Sequence, residues 1–182
     1  MTILHSERLI LRPWTLDDVE AAFRMYGDPE VTRYLGGGAC EPNLESQREN
    51  LEKVIAKYVI LGKEGYGFWA AEERSTGEVV AAALLKPLVI SEGFEPEGQP
   101  EIEVGWHVAK AHWGRGIATE MGRRCLEHGF ESVGLEKIIA VAFAENPKSL
   151  HVMEKIGMKP LGTTGRYYGR DLVAYVANRL SV

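Results

Sequence analysis

Cysteine is scarce: only Cys40 and Cys125 occur, far apart and without CxxC spacing. Neither a disulfide framework nor a structural zinc site is expected from such a pair, and no metal site is expected elsewhere. Long apolar runs are missing as well. The longest aliphatic stretch, Val79 to Leu85, is far too short to cross a hydrocarbon layer of about 30 Å. The first residues carry His5, Glu7, Arg8 and Arg12 and no apolar signal core. Positive charge is not in excess, because 21 Lys and Arg face 26 Asp and Glu for a formal net charge of −5. That balance argues against a nucleic-acid or anionic-membrane partner, whose electrostatic footprint is basic. Repeats and low-complexity tracts are absent. What remains is ordinary for a cytoplasmic globular protein: 182 residues, 45% hydrophobic and 26% charged, which fits one domain over 1–182.

Strand and helix periods alternate along the chain. Arg8 to Pro13 reads as a first strand closed by proline. Thr15 then offers an N-cap, with Asp17 and Asp18 in the first turn and an apolar stripe at Val19, Ala22, Phe23 and Tyr26. Asp28-Pro29 opens a short helix to Leu35, ended by Gly36-Gly37-Gly38. Leu44, Leu51, Val54, Ile55 and Tyr58 mark a longer amphipathic helix. Gly67 to Glu73 and Glu78 to Leu85 form a hairpin around Arg74-Ser75-Thr76-Gly77. The stretch from Pro87 to Pro100 reads as a surface loop, and Glu101 to Val108 as a strand. Gly116 to Val133 has a helical period that includes Cys125, a small buried hydrophobe. Lys137 to Ala144 is a strand buried on both faces, and Pro147 to Ile156 a helix capped by Gly157. A final hairpin, Met158 to Tyr167 and Asp171 to Asn178, turns at Gly169. The pattern predicts an α/β (α+β) domain with one mixed sheet of about seven strands flanked by helices.

The segment Glu101 to Thr119 carries the most chemistry. A strand runs into Gly114-Arg115-Gly116 and a helix starts at once. Such a corner leaves free N–H groups at the positive end of a helix dipole, which suits a phosphate or pyrophosphate, and Arg115 adds a cation nearby. A lone GxG also occurs in turns that merely connect elements. A P-loop is excluded because no Gly-Lys-Ser/Thr follows. A dinucleotide fingerprint is excluded because Thr119 stands at the third small position and no early βαβ unit precedes it.

His112-Trp113-Gly114-Arg115-Gly116-Ile117-Ala118 resembles the acyl-CoA loop of the GNAT acetyltransferases, Q/R-x-x-G-x-G/A. Trp113 stands at the Q/R position, a departure shared with the branch resembling RimJ and RimL. Downstream, Asn146 to Met158 is similar to the family segment N-x-x-S/A-x-x-x-x-E-K-x-G-F/M. Glu7 to Arg12 and the closing hairpin from Tyr167 to Tyr175 also resemble that branch, so the likeness covers nearly the whole chain. It implies acetyl-CoA as cosubstrate, with its pyrophosphate on the backbone amides of Trp113, Gly114, Arg115, Gly116, Ile117, Ala118 and Thr119. Asn146 and Ser149 would border the pantetheine arm, and a backbone N–H near His107 or Val108 would hold the oxyanion. It implies an N-acetyltransferase whose acceptor is a protein N-terminal α-amine or a small primary amine, working as a monomer or homodimer.

Acyl transfer needs a neutral amine, although α-amino groups titrate near 8 and lysine near 10.4. Along the strand, Glu101, Glu103, Gly105 and His107 share one face. Glu103 matches the proposed base of the Rim-like branch, and His107 is a second candidate. Many family members place a tyrosine acid seven residues after the Asn, whereas this chain has Met153 there. The resemblance then gives Ser149 as the group that protonates the departing thiolate. Tyr167 and Tyr168 are candidates for lining the amine pocket, together with residues of Tyr26 to Cys40. Met153 leaves open another expectation: a non-catalytic acyl-CoA-binding module of the same fold.

Overall fold

Eight strands, one more than expected, form a single sheet in the order β1-β2-β3-β4-β5-β6-β8-β7 in this computed structural model. The structure describes residues 2–95 and 98–179. The additional strand is β1 (Leu4–His5), which pairs antiparallel with β2 (Leu9–Pro13). Two residues are too few to carry a strand period; the buried Leu4 and a bond from Arg124 Nε to the His5 carbonyl at 3.0 Å anchor them.

β3 (Gly67–Glu73), β4 (Val79–Pro87) and β5 (Ile102–Val108) continue the antiparallel run. β6 (Lys137–Ala142), β7 (Lys159–Tyr167) and β8 (Arg170–Asn178) close the sheet. The junction between these halves, β5 to β6, is the parallel one, and its register comprises a single pair, Glu103 with Ile139.

Side-chain alternation decides what each face carries. Phe68, Ala70, Ala82 and His107 look toward α1 (Val19–Tyr26) and α3 (Leu44–Leu61), where they meet Trp14, Met25, Leu51, Tyr26 and Tyr58. Trp69, Ala71, Leu85, Val104, Ile138 and Ala140 look the other way, toward Met121 and Cys125 of α4 (Ile117–His128) and Met153 of α5 (Pro147–Lys155). β4 is covered on both sides, so all seven residues from Val79 to Leu85 are buried. Alanine at 81, 82 and 83 leaves room for the large rings that flank them. α2 (Pro29–Thr32) is shorter than expected, although Asp28 does accept from the Glu30 N–H and Pro29 does open the helix. α4 runs on into a π-helical turn, Gly129–Val133. No helix among the described residues is long and apolar enough to cross a membrane.

The loop after β4, of which Pro96 and Glu97 lie outside the described residues, is fastened to the closing hairpin. Ile90 bridges to Tyr167, the Ser91 N–H donates to the Arg166 carbonyl, and the Tyr168 N–H donates to the Val89 carbonyl.

Candidate active site

Where β5 and β6 part, a cleft of about 770 Å³ opens between them, framed by the N-termini of α4 and α5. Its walls include Trp106, His107, Val108, Trp113, Gly114, Gly116, Ile117, Ala118, Thr119, Asn146 and Ser149. The two segments singled out in the sequence therefore meet across one opening. The β5 backbone presents itself there by parity. Ala109 N–H donates to the Val80 carbonyl at 3.0 Å, continuing the β4–β5 register. The odd residues of β5 therefore turn their polar groups to β4, and Trp106 and Val108 turn theirs to the cleft. The Val108 carbonyl accepts from Trp113 Nε1 at 2.8 Å, which leaves the Val108 N–H as the donor facing the opening.

Gly116 is the N-cap of α4, exposed, with φ at +78° and no side-chain cap on the helix. The first-turn N–H groups are thus free donors at the positive end of the dipole. The loop that holds them is braced from a distance. Glu120 accepts from the Arg8 N–H at 2.8 Å, from Arg8 Nε at 2.7 Å and from the Ser6 hydroxyl at 2.7 Å. Arg8 Nη1 donates to the Arg115 carbonyl at 2.9 Å. The Arg115 side chain itself reaches away, to Glu73 at 2.5 Å and His112 at 2.7 Å, and is not a wall of the cleft. At the other rim, Lys148 stacks on Trp113, Nζ 4.0 Å from the ring centroid.

The cleft fits a CoA thioester on three counts: uncapped helix donors for a pyrophosphate, apolar walls at Ile117 and Val152 for the arm, and cations at Lys148 and Lys155. Asn146 caps α5 by accepting from the Ser149 N–H at 3.2 Å, placing Ser149 half-buried on the wall. Met153 lies in the core, 1% exposed, so its position does not open on the cleft. A core methionine therefore stands where many family members place the tyrosine.

On the sheet face toward α1 and α3 lies a polar cluster. Glu103 is buried, its Oε2 2.9 Å from Lys86 Nζ and accepting from the Tyr168 hydroxyl. His107, four residues on along the same strand face, bonds through Nδ1 to the Tyr26 hydroxyl at 3.0 Å and lies against Phe68. Burial, with Lys86 as a smaller contribution, lowers its pKa to about 4, so the ring is neutral near pH 7. Burial pushes the Tyr26 phenol well above its ordinary range. Glu101 is instead held below the usual carboxylate range by Arg166, Tyr167 and Lys137, which outweigh its desolvation. Tyr167 is the lid of a small core and Tyr168 the partner of Glu103. Lys86 escaped the sequence reading, although a lysine closing an otherwise apolar strand was the available signal.

The depressed His107 has a consequence for stability. As pH falls below about 6.5 the unfolded chain binds a proton there that the folded chain refuses until about 4. Stability is therefore full above 6.5 and declines toward 4. Residual hydration of the half-buried ring trims the effect to about 1–2 kcal/mol between pH 7.5 and 5. Urea unfolding at the two pH values should show this loss, and His107→Phe should remove it.

The acetyltransferase (GNAT) domain family matches residues 8–159. The uncharacterized N-acetyltransferase YoaA of Bacillus subtilis is 31% identical over 183 residues, covering 99% of this chain and 96% of the relative. A GNAT acetyltransferase of Bacillus anthracis superposes with TM-score 0.77 at 23% identity, covering 98% and 99% of the two chains. The structure of RimL, a ribosomal L7/L12 α-N-protein acetyltransferase in complex with coenzyme A, superposes with TM-score 0.75 at 14% identity, covering 97% and 98%.

Proposed function

This chain belongs to the GNAT acetyltransferase family, and from that premise we propose that it moves the acetyl group of acetyl-CoA to an amine by direct attack on the thioester. The acceptor is a protein N-terminal α-amine or a small primary amine. The observation that carries this reading is the meeting, at the β5–β6 parting, of uncapped helix donors, the Val108 N–H and Ser149; Glu103 lies earlier on the same strand, outside the cleft walls.

Acetyl-CoA supplies an activated acyl carbon and a thiolate leaving group. The amides at the start of α4 bind the pyrophosphate, and the walls around Trp106 and Val152 exclude water from the arm. The Val108 N–H donates to the oxygen on which charge develops. Glu103 takes the proton that the amine gives up, directly or through one water. As the C–N bond forms and the C–S bond breaks, the Ser149 hydroxyl relays a proton from solvent to sulfur, so that the serine itself ends neutral. That last step is undemanding, since a thiol titrates near 8.5.

Calorimetric titration with acetyl-CoA, with NADH as control, tests the cofactor. Micromolar binding of acetyl-CoA alone is expected, and thiol release with a panel of peptide N-termini and small primary amines then finds the acceptor. No heat with acetyl-CoA or CoA would reduce the glycine corner to a turn and remove the assignments built on it.

A further inference from the structure

Glu103 is restrained by residues from outside its own strand. Lys86 stands directly opposite it across the β4–β5 ladder, and its ammonium lies 2.9 Å from Oε2. Tyr168, from the turn between β7 and β8, donates its hydroxyl to the same oxygen and accepts from Lys86. The Lys86 ammonium also rests over the Tyr168 ring, 4.9 Å from its centroid. Oε2 is therefore saturated. Oε1 has no partner among the described residues, yet it is not among the fully enclosed polar atoms, so solvent reaches it.

The placement of Tyr168 comes at a conformational cost. Among the described residues it is the non-glycine one with positive φ, +59°, a region that costs an L-residue about 1–2 kcal/mol. The loop after β4 holds it there: the Tyr168 N–H donates to the Val89 carbonyl at 3.0 Å, and the Gly169 N–H to Ser91 Oγ at 2.8 Å. Strain of this kind persists only where the surroundings impose it.

We propose that Tyr168 and Lys86 are positioning residues for the proton acceptor, fixing one oxygen of Glu103 so that the other, Oε1, meets the amine. This rests on the reading of Glu103 as the base. The polar groups near the carboxylate are Lys86 from β4, Tyr58 from α3 and Tyr168 from the hairpin, while β6 offers the apolar Ile139 in register. Burial, followed by the charge of Glu103, keeps the Tyr168 phenol protonated well beyond its ordinary range, so it stays a donor wherever the enzyme works.

The test compares Tyr168→Phe, Lys86→Met, Lys86→Arg and Glu103→Gln, using the panel amine that the native protein acetylates fastest. Tyr168→Phe keeps the ring and loses the hydroxyl. It should lower kcat by about 10-fold with the KM for acetyl-CoA within twofold. Lys86→Met, which keeps the apolar stem, should lose a similar factor, and Lys86→Arg should recover most of it. In the free protein labelled at the glutamate carboxyls, the 13C signal of Glu103, identified by its absence in Glu103→Gln, should move in Tyr168→Phe at pH 7. Unchanged kcat and an unmoved signal in Tyr168→Phe, with Glu103→Gln inactive, would overturn the positioning role alone. Equal losses in Lys86→Met and Lys86→Arg, each with a lowered melting temperature, would make Lys86 a prop and also overturn it. A fully active Glu103→Gln would instead overturn the base assignment beneath it.

Discussion

Gly116→Asp should weaken acetyl-CoA binding by at least about 100-fold while leaving the protein folded. Within the protein there is room for the new side chain, since a Cβ at Gly116 would meet nothing nearer than Arg8 Nη2, at 3.6 Å. The backbone at φ +78° disfavours it by about 1 kcal/mol, less for aspartate than for branched residues. The large effect falls on the ligand. A carboxylate about 4 Å from a pyrophosphate charge costs about 4 kcal/mol at the effective dielectric of a protein surface. Arg8 does not cancel this, because it is already engaged by Glu120 and the Arg115 carbonyl. Some relaxation is expected, and about 2.7 kcal/mol of net loss already amounts to 100-fold. Gly116→Ala separates the causes, as it adds the Cβ without the charge and should cost far less. Calorimetry reads both. Affinity of Gly116→Asp within threefold of the native protein, or about 0.6 kcal/mol, would place the cofactor elsewhere.

Glu103→Gln should lower kcat by about 10²–10⁴-fold, the usual contribution of a positioned proton acceptor. Acetyl-CoA affinity should stay put, because Glu103 is not among the cleft walls. The amide keeps the shape and can still accept from Tyr168, but it takes no proton from an amine. Lys86 is left without its counter-charge in a half-buried setting, so a stability loss of about 1–2 kcal/mol should accompany the kinetic one. Single-turnover acetyl transfer beside calorimetry distinguishes the two effects. Retained kcat would remove Glu103 from the chemistry, and lost affinity would show that it shapes the cofactor site.

The elements with strong local signals were legible from the sequence: the Arg74 to Gly77 turn, the Asp28-Pro29 start, the glycine-led start of α4 and the Pro147 start of α5. β1 was not, since its two residues are a strand only because β2 lies beside them. Among the site residues, spacing along one strand was enough to place Glu103 and His107 on a common face. It was silent on Lys86 and Tyr168, which arrive from β4 and the closing hairpin, 82 positions apart in the chain. Arg115 is the converse case. Its position in the motif suggested the pyrophosphate, but Glu73 and His112, neither predictable as its partners, draw the guanidinium to the opposite side. Sequence spacing reports faces, whereas partners depend on which strands become neighbours.

The lone register pair between β5 and β6 also divides the molecule by chain order. Everything from Lys137 to Asn178 is one contiguous piece, β6 through β8 with α5, and everything before it is another. The cleft lies along the seam between these pieces, which are also joined by a shared core, by the bonds of Glu101 and Glu103 to the closing hairpin, and by the clasp of the β4 loop on that hairpin. A cofactor seated there touches both, so it acts as mortar as well as reactant. Its binding raises the free energy of separating the C-terminal piece by RT ln(1 + [L]/Kd), about 2.7 kcal/mol at a hundredfold excess over Kd. In a cell that holds acetyl-CoA well above that constant, the supply of acetyl groups and the lifetime of the folded enzyme become linked quantities.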